Sequence, residues 1–555
     1  MSNAKPQGGD PYAHPTPSRP VVMGVSGMVA SANPLSTLAG VAVLREGGNA
    51  FDAAVAVAST LGVVEPYMSG VGGIGVALAY VAAEDRVRAL DFSGRAPLAA
   101  LPEEFTQETK GIGPRSCLVP GNVAGWLTMQ ESYGTMAARP LFDTAIRYAE
   151  HGSPVTFNNH RMIVGNASRL LLHPQTSGLV LGADGTPPGP GARLRFTQLA
   201  ASLRSIAEGG IAEFYRGDLA RRFVRGNQEI GGLMTGDDLA SYEAEWLEPV
   251  KISYRGLEVL TTPPSSSGFQ ILQTLKLLEH SDIDARGPHH PDTVHRFIEA
   301  VKLAVSDRIP YAGDPATVSA PLDRLLSDEY AAERCMSIDM SAAGAVSGEH
   351  YSDQVPAGAI PAGLSREIEG GMTTHFAIAD SAGNVVSVTQ TLGGAFGSAV
   401  AMGDTGIFPN NMGYWFDLDE GSPNRIGPGK KVDFVVAPTQ TFEDGRFMLS
   451  MGTPGSWGIL QTTPQMLVNV LDHGMTVQQA IDSPRFRVYE GTRVEMEDRF
   501  PTSLRIELEL RGHQVDVIES WSMNVGGAQA IAHDSRAGIF HGGADPRRDG
   551  VAIGL

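Results

Sequence analysis

The stretch TTHFAIADSAGNVVSVTQT, residues 373–391, predicts a β-hairpin whose first residue carries a hydroxyl group. Apolar and polar residues alternate over 375–379 and again over 385–391, which is the period of half-buried strands. Residues 380–384, DSAGN, have the composition of a tight turn between them. The hairpin therefore places Thr373 in mid-chain, at the start of a strand and directly after Met372.

Thr373 gains a second functional group if the bond before it is cut. It then becomes a new N-terminus, with a hydroxyl nucleophile and a free amine in the same residue. A free α-amine has a pKa of about 8, so part of it is neutral near pH 7. An N-terminal amine is one of the few bases that can activate a threonine hydroxyl. Thr373 alone is weak evidence, because Thr-Thr is common at strand starts, and its surroundings decide its role.

The composition is that of an ordinary globular protein with room for a large core. The chain has 555 residues, 42% hydrophobic and 19% charged, and a formal net charge of -19. This acidic balance argues against nucleic acid or an anionic membrane as a partner. Cys117 and Cys335 are far apart and predict free thiols, not a disulfide framework.

The ends and the hydropathy of the chain bear on its location. No run of about 18 apolar residues predicts a transmembrane helix. Residues 1–20 are polar and rich in Pro and Gly, so we expect a disordered tail and not a signal peptide. We expect a cytoplasmic protein, and a periplasmic one stays open if the first residues are foreign to it.

The rest of the chain predicts helices and strands in runs, without strict alternation. Helices are expected at 36–46, from Asn49 or Asp52 to about Leu61, at 292–308 with Asp292 as N-cap, and at 463–471 and 476–482. A hairpin is expected at 75–91, further strands at 432–442 and 446–452, and a polar, mobile segment at 342–371. This order predicts an α+β fold with antiparallel sheets between helices.

Four motifs have competing interpretations. GVGGIG at 70–75 matches a dinucleotide-binding pattern, but a helix precedes it and a strand follows, so close backbone approach is the better explanation. His289, His290 and His295 lack ligand spacing and a completing carboxylate, so we predict capping and surface positions and no metal. The turn 452–458 is either an anion-binding nest or a plain turn. Arg95 either binds a carboxylate or forms a structural salt bridge.

Taken together, several segments resemble the γ-glutamyltransferase family of N-terminal-nucleophile hydrolases. They are NPLSTLAGVAVLREGGNAFDAAVA, GVVEPYMSGVGGIG, SDRIPYAGDP, TTHFAIADSAGNVVSVTQTLGGAFG, GTPGSWG and ADPRRDG, in the family order. The resemblance implies a four-layer αββα sandwich, no cofactor, and a precursor that cuts itself between Met372 and Thr373. The parts would be a large subunit, 21–372, and a small subunit, 373–555, that stay associated.

The resemblance also implies the catalytic groups. Thr373 would attack first the carbonyl of Met372 and later a substrate amide. Thr391 lies at the position whose hydroxyl binds the nucleophile. Gly455 and Ser456 match the paired glycines whose N–H groups hold the oxyanion, where one donor is typically worth about 3–4 kcal/mol.

The sequence departs from the family where the substrate's amino-acid head would bind. The carboxylate-binding arginine aligns with Ser93, with Arg95 two residues on. The paired serines align with Phe434 and Val435, the ammonium-binding acid falls near Trp415, and an asparagine aligns with Gly393. Asp417 or Asp433 would restore an ammonium site if this alignment is shifted. The family's lid region, 416–430, is short, which favours water over an amine acceptor.

We therefore assign Arg95, Gly393, Asn411 and Trp415 to substrate binding. An ammonium buried without an acid is costly, so the expected acyl group carries a carboxylate and no ammonium. Family members of this kind include oxamate amidohydrolase and glutaryl-cephalosporin acylases.

Three functions remain open from the sequence. The first is a self-processing amidohydrolase for small carboxylate-bearing amides. The second is a γ-glutamyltransferase or glutathione hydrolase, and the third is an unprocessed, non-catalytic homologue. The first two predict a small-molecule amide as partner and two subunits from one precursor, with a dimer of these heterodimers left open.

Overall fold

A computed structural model of the chain describes residues 17–281, 283, 286–344 and 371–555. Most of the predicted tail, 1–20, and most of the predicted mobile segment, 342–371, lie outside the described residues. Over the rest, the chain is a mixture of helices and sheets, as the sequence predicts.

The secondary structure has nineteen strands and seventeen α-helices within the described residues. The strands are β1 (Val22–Gly24), β2 (Met28–Ser31), β3 (Ile74–Val81), β4 (Arg86–Phe92), β5 (Ser153–Pro154), β6 (Arg193–Leu194), β7 (Glu245–Leu247), β8 (Val250–Tyr254), β9 (Leu257–Thr261), β10 (Gly371–Ala379), β11 (Val385–Gly394), β12 (Thr439–Glu443), β13 (Arg446–Gly452), β14 (Phe486–Val488), β15 (Arg493–Glu497), β16 (Gln514–Ile518), β17 (Gln529–Asp534), β18 (Ile539–Ala544) and β19 (Val551–Gly554). The helices are α1 (Pro34–Arg45), α2 (Ala50–Val64), α3 (Asn122–Tyr133), α4 (Ala138–Leu141), α5 (Asp143–His151), α6 (Phe157–Leu170), α7 (Pro174–Val180), α8 (Thr197–Arg216), α9 (Asp218–Glu229), α10 (Gly236–Ala240), α11 (Phe269–Glu279), α12 (Pro291–Arg308), α13 (Leu322–Leu325), α14 (Asp328–Cys335), α15 (Ile459–Leu471), α16 (Val477–Asp482) and α17 (Thr502–Leu510).

Two seven-stranded sheets form the centre of the molecule. Sheet I has the strand order β19-β2-β10-β11-β3-β4-β7, and sheet II has the order β1-β18-β17-β13-β12-β9-β8. Every neighbouring pair in both sheets is antiparallel. Strand β10 contacts β13 and β17, and β2 contacts β18, so the two sheets pack face to face.

Helices rich in small residues cover sheet I. Helix α2 begins after the N-cap Asn49, whose side chain accepts the N–H of Asp52 while the Asp52 carboxylate accepts the N–H of Asn49. All residues of α2 are buried, and the helix contacts β10 and β11. Its Ala and Val side chains permit this close approach to the predicted hairpin. Helix α11 contacts β8 and β9, and α15 contacts β13, both in sheet II.

Two predicted elements differ from the structure. The expected strand 432–442 is wrong over its first half, since the strand begins only at Thr439. The N–H groups of residues 433 and 434 donate outside the two sheets, to Asn424 Oδ1 at 2.9 Å and to the Ser265 carbonyl at 3.0 Å. Helix α12 begins one residue early, because His290 and not Asp292 is its N-cap and accepts the N–H of Asp292 at 3.1 Å.

One further property concerns membranes. No helix within the described ranges combines the length and the apolar character needed to cross a bilayer.

Candidate active site

The hydroxyl groups of Thr373 and Thr391 meet at the open end of the β10–β11 hairpin. The Thr373 hydroxyl donates to Thr391 Oγ1 at 3.2 Å, and the Thr391 hydroxyl donates to the carbonyl oxygen of Met372. The N–H of Gly393 also donates to Thr391 Oγ1, at 2.8 Å. Thr391 thus uses its one donor and both acceptor positions, and it joins the predicted nucleophile to the carbonyl of the predicted cleavage site.

The strand β10 runs through the bond between Met372 and Thr373. Its pairing with β11 shifts by one residue there, so that Met372 lies opposite Gly393 and Thr373 lies opposite Thr391. A β-bulge of this kind re-aims side chains and is common beside active sites. Thr373 is only 3% exposed. Its hydroxyl is therefore shielded from bulk solvent.

Arg548 also contacts the predicted nucleophile. Its guanidinium donates to the carbonyl oxygen of Thr373 at 3.2 Å, and it is itself buried. The preceding loop is fixed by Asp545, which pairs with Arg485 and, at 3.1 Å, with Arg547. Burial raises the pKa of the Asp545 carboxyl, but the two arginines outweigh it and hold that pKa well below the usual range. These ion pairs fix the segment ADPRRDG, residues 544–550, which carries Arg548.

The predicted oxyanion turn follows β13 and leads into α15. Gly455 has φ +140° and Ser456 has φ +59°, a pair of conformations that L-residues rarely adopt in succession. The short 3₁₀ turn that begins at Ser456 contacts β10. Strained backbone at a strand-to-helix turn is typical of sites that present N–H groups, although the oxyanion role itself stays a prediction.

A cavity of about 330 Å³ adjoins the hairpin. The described residues that line it are Gln107, Glu108, Gly111, Ile112, Arg169, Gly393, Gly394, Asn411, Tyr414 and Trp415. Gly393 and Gly394 pair with Met372 and Gly371, so the cavity begins beside the residues that precede the predicted cleavage point. The Trp415 ring lies 5.1 Å from the ring of Trp457, which follows Ser456. The cavity and the turn are therefore neighbours.

Asn411 organises the cavity wall beside the hairpin. It accepts the N–H of Gly394 at 2.6 Å and donates to the carbonyl of Gly111 at 2.8 Å. Gly393 has φ +91°, and a Cβ built there would lie 2.4 Å from Asn411 Oδ1. The glycine is therefore required by the close approach of Asn411. Three of the four predicted substrate-binding residues, Gly393, Asn411 and Trp415, thus come together.

Arg95, the fourth predicted substrate-binding residue, lies elsewhere. Its guanidinium contacts Glu245 at 3.2 Å and the Gly429 carbonyl at 3.4 Å, and its side chain is 38% exposed. It does not belong to the residues that line the cavity. The structural salt bridge, which the sequence left open, is the arrangement found, and the predicted contact with a substrate carboxylate has no geometric support.

The other residues considered for binding an amino-acid head group also make contacts within the protein itself. Phe434 and Val435 are buried in the apolar core. Asp433 pairs with the buried Arg308 at 2.7 Å, so its carboxylate already has a cation. Asp417 accepts a hydrogen bond from the Ser422 hydroxyl and does not line the cavity. Neither aspartate offers an ammonium site there.

Two candidate site residues, Arg169 and Arg548, were not predicted from the sequence. Arg169 lines the cavity from the last turn of α6, where a cation is expected simply from the helix dipole, so no pattern marks it. Arg548 lies in the family-like segment ADPRRDG, but the sequence gives no reason to place it against Thr373. Both contacts depend on long-range packing.

The motif GVGGIG at 70–75 serves close backbone approach, as predicted. A Cβ on Gly73 would lie 2.6 Å from the Thr391 carbonyl oxygen, and one on Gly72 would lie 2.3 Å from the Phe408 carbonyl oxygen. Gly73 therefore lies close against the β10–β11 hairpin, and Gly72 lies close against the segment around Phe408.

The predicted surface placement of the histidine group is wrong for two of its members. His290 caps α12, but His289 and His295 are buried. His295 shares a 2.7 Å hydrogen bond with His513, and with Glu299 the three could offer ligand atoms that all lie within 4.8 Å of one another. Lys302 already donates to Glu299 at 2.8 Å. Glu299 is therefore already paired with an ammonium group.

Comparison with known proteins shows the family to which the chain belongs. The family described as Gamma-glutamyltranspeptidase matches residues 36–555, and the chain belongs to this family of hydrolase proenzymes. The chain is 36% identical to the glutathione hydrolase-like YwrD proenzyme of Bacillus subtilis, over 96% of this chain and 99% of that protein. It is also 36% identical to the acylase ACY 1 proenzyme of a Pseudomonas strain, over 96% of this chain and 94% of that one.

A solved structure is similar over the whole length. The cephalosporin acylase from Bacillus halodurans has a TM-score of 0.87 and 33% identity, covering 98% of this chain and 99% of that one. Further relatives are named glutathione hydrolase and oxamate amidohydrolase proenzymes. The family is thus shown, and its members' names span several substrates.

Proposed function

We propose that this chain is a self-processing amidohydrolase that uses Thr373 as nucleophile on a small amide with a carboxylate-bearing acyl group. The observation that carries the proposal is the hydrogen-bonded series from the Thr373 hydroxyl through the Thr391 hydroxyl to the Met372 carbonyl oxygen. Through Thr391, this series links the attacking hydroxyl to the carbonyl group of the bond that is cut.

The first reaction is the cleavage of the chain itself. The Thr373 hydroxyl attacks the Met372 carbonyl carbon while its proton passes to Thr391 Oγ1, and the Thr391 proton stabilises charge on the carbonyl oxygen. The peptide C–N bond then breaks, the nitrogen takes a proton, and an ester links Met372 to Thr373. Water hydrolyses that ester and leaves Thr373 with a free amine.

The second reaction uses the amine that the first one releases. The Thr373 amine accepts the hydroxyl proton as the oxygen attacks a substrate amide, and it returns the proton to the leaving amine. N–H groups of Gly455 and Ser456 hold the oxyanion. Water then hydrolyses the acyl-enzyme and frees the acid. No cofactor is needed to balance these steps.

The two proposed subunits, 21–372 and 373–555, share both sheets. In sheet I, β10 pairs with β2 and β11 pairs with β3, and in sheet II, β12 pairs with β9. With helices against each sheet, we also propose that the layers follow the αββα order. Such shared sheets support subunits that stay together after the cut.

A γ-glutamyl amide is the competing substrate class, since several relatives are named glutathione hydrolases. Its ammonium group would need an acid in the cavity. Among the described lining residues the only carboxylate is Glu108, which is exposed. A water-exposed carboxylate gives little binding energy to an ammonium group, so we favour an acyl group without one.

Intact mass spectrometry of the purified chain tests the proposal. Two fragments that begin at residues 1 and 373 are expected, and Thr373→Ala should give only the full-length chain. Thr374→Val is the matched control, because the buried Thr374 hydroxyl has no hydrogen-bond partner among the described residues. It should still be cut. A full-length wild-type chain, inactive on glutaryl, oxalyl and γ-glutamyl amides, would instead support the non-catalytic homologue.

A further inference from the structure

We propose that Arg169, and not Arg95, binds the carboxylate of the acyl group, in the cavity beside Gly393 and Gly394. This inference rests on the proposed function and deepens it by assigning the residue that selects the substrate class. It differs from the sequence-based assignment, which placed that carboxylate on Arg95.

The cavity lies on the acyl side of the reacting bond. In self-cleavage, Met372 is the acyl group, because its carbonyl carbon is the one that Thr373 attacks. Met372 lies opposite Gly393 in the ladder, and Gly393 and Gly394 line the cavity. A substrate attacked by the same hydroxyl places its own carbonyl carbon in the same position. The remainder of its acyl chain then extends into this cavity.

Arg169 is the one cationic side chain among the described residues that line the cavity. Its guanidinium donates to the carbonyls of Gly397 at 3.1 Å and Ala395 at 3.3 Å, and to Asn166 Oδ1 at 3.4 Å. None of the described residues places a carboxylate within 4.0 Å of it, so its charge has no counter-ion among them. A half-buried guanidinium in that state favours an anionic ligand.

The side chains of Arg169 and Asn411 both approach Gly394. A Cβ built on Gly394 would lie 3.6 Å from Arg169 Nη1 and 3.1 Å from Asn411 Nδ2. Two N–H-bearing groups therefore approach the same face of Gly394. Burial lowers the pKa of Arg169, but an arginine remains charged at any working pH.

Helix α6 holds Arg169 at a fixed position. Thr156 caps the helix, and its hydroxyl donates to Asp549 at 2.7 Å while Asn158 donates to the same carboxylate at 2.8 Å. Asp549 follows Arg548, which contacts Thr373. The helix that carries Arg169 is therefore tied to the same loop that supports the nucleophile.

The other nearby cations are engaged elsewhere. Arg95 pairs with Glu245, as described above. The buried Lys110 donates to the Phe416 carbonyl at 2.6 Å and lies against the Tyr414 ring. Ile112, Tyr414 and Trp415 supply apolar and aromatic surface, and the carboxylate in the wall, Glu108, is exposed. The cavity therefore fits a short chain that ends in a carboxylate.

The test compares two anilides of equal length, glutaryl p-nitroanilide and pentanoyl p-nitroanilide, which differ in the terminal carboxylate. In Arg169→Gln we expect KM for the glutaryl substrate to rise about 10- to 100-fold, the usual worth of a charged hydrogen bond. The kcat/KM for the pentanoyl substrate should change less than about threefold, and Arg169→Lys should recover part of the loss. Arg95→Gln, the matched control, should leave the preference for the glutaryl substrate unchanged.

Several outcomes would overturn the inference. An equal loss of kcat/KM on both anilides in Arg169→Gln would indicate a structural role. A loss of the preference for the glutaryl anilide in Arg95→Gln alone would assign the carboxylate to Arg95. Glutarate binding by calorimetry separates this inference from the proposed function. If the wild type hydrolyses neither anilide, the proposed function fails, yet glutarate binding that Arg169→Gln abolishes would still support the carboxylate site. Equal glutarate binding in both proteins would refute it.

Discussion

At the scale of single residues, the hydroxyl of Thr391 carries the proposed chemistry. It accepts hydrogen bonds from Thr373 and Gly393 and donates to the Met372 carbonyl. A hydroxyl has no further hydrogen-bonding positions, so its orientation is determined. The same group can accept the nucleophile's proton and stabilise the developing oxyanion.

We expect Thr391→Val to slow self-cleavage about 100-fold or more, the scale of a lost proton-transfer group. Valine keeps the shape of threonine but can neither accept nor donate the proton. Thr391→Ser should still be cut, since it keeps the hydroxyl. The measurement is the fraction of uncut chain on a denaturing gel, followed from the moment of purification.

Circular dichroism controls for misfolding in this experiment. Thr391→Val should keep the wild-type spectrum, because the residue is buried and the new side chain is of equal size. Cleavage of a well-folded Thr391→Val at the wild-type rate would remove Thr391 from the mechanism.

At the scale of elements, the sequence predicts the strongly patterned segments well. The hairpin β10–β11, helices α1 and α2 and strand β13 all lie where periodicity and capping residues place them. Residues 432–438 alternate like a strand, but the N–H groups of residues 433 and 434 donate to Asn424 and Ser265, which lie outside sheet II. Periodicity reports burial and cannot identify a hydrogen-bond partner.

For the candidate site, too, the sequence predicts local neighbours but not contacts between distant segments. Thr373 and Thr391 could be placed together because one hairpin contains both. Asn411 could be assigned from the sequence, but the reason for Gly393 could not, since the 2.4 Å approach depends on a loop from elsewhere. Arg169 belongs to a helix more than 200 residues before the hairpin, so only the folded chain brings it to the cavity.

Strand β10 also contains a buried histidine that should make stability depend on pH. Burial lowers the pKa of His375 to about 3, against about 6.5 in an unfolded chain. The unfolded state therefore binds a proton that the folded state excludes. Stability from this group is complete above pH 6.5 and is lost as the pH falls towards 3, by about 2 kcal/mol at pH 5.

We expect His375→Phe to reduce the shift of the urea midpoint between pH 7 and pH 5. The Thr373→Ala background keeps a single uncut chain for the measurement. Thr389→Val is the control, since it removes the 2.8 Å hydrogen bond to His375 Nδ1 but keeps the titrating ring. It should retain the pH dependence. An unchanged slope in His375→Phe would show that other groups dominate.

At the scale of the whole molecule, the proposed cleavage point divides the sequence but not the fold. Sheet I has β10 and β11 at its centre, between β2 on one side and β3 on the other. Sheet II likewise has β8 and β9 from before residue 373 next to β12. Both proposed fragments therefore contribute strands to the inside of each sheet, and neither contains a complete core.

This division predicts how the fragments behave. After cleavage they should elute together from a size-exclusion column and separate only in denaturant, because separation would expose unpaired strand edges and the apolar faces of both sheets. A fragment of residues 373–555 produced alone should lack a cooperative unfolding transition, since β10 and β11 would have lost β2, β3 and the cover of α2. The same fragment co-produced with residues 1–372 should regain that transition. A lone small fragment that unfolds cooperatively would show that it has a core of its own, and the shared sheets would then not explain the association.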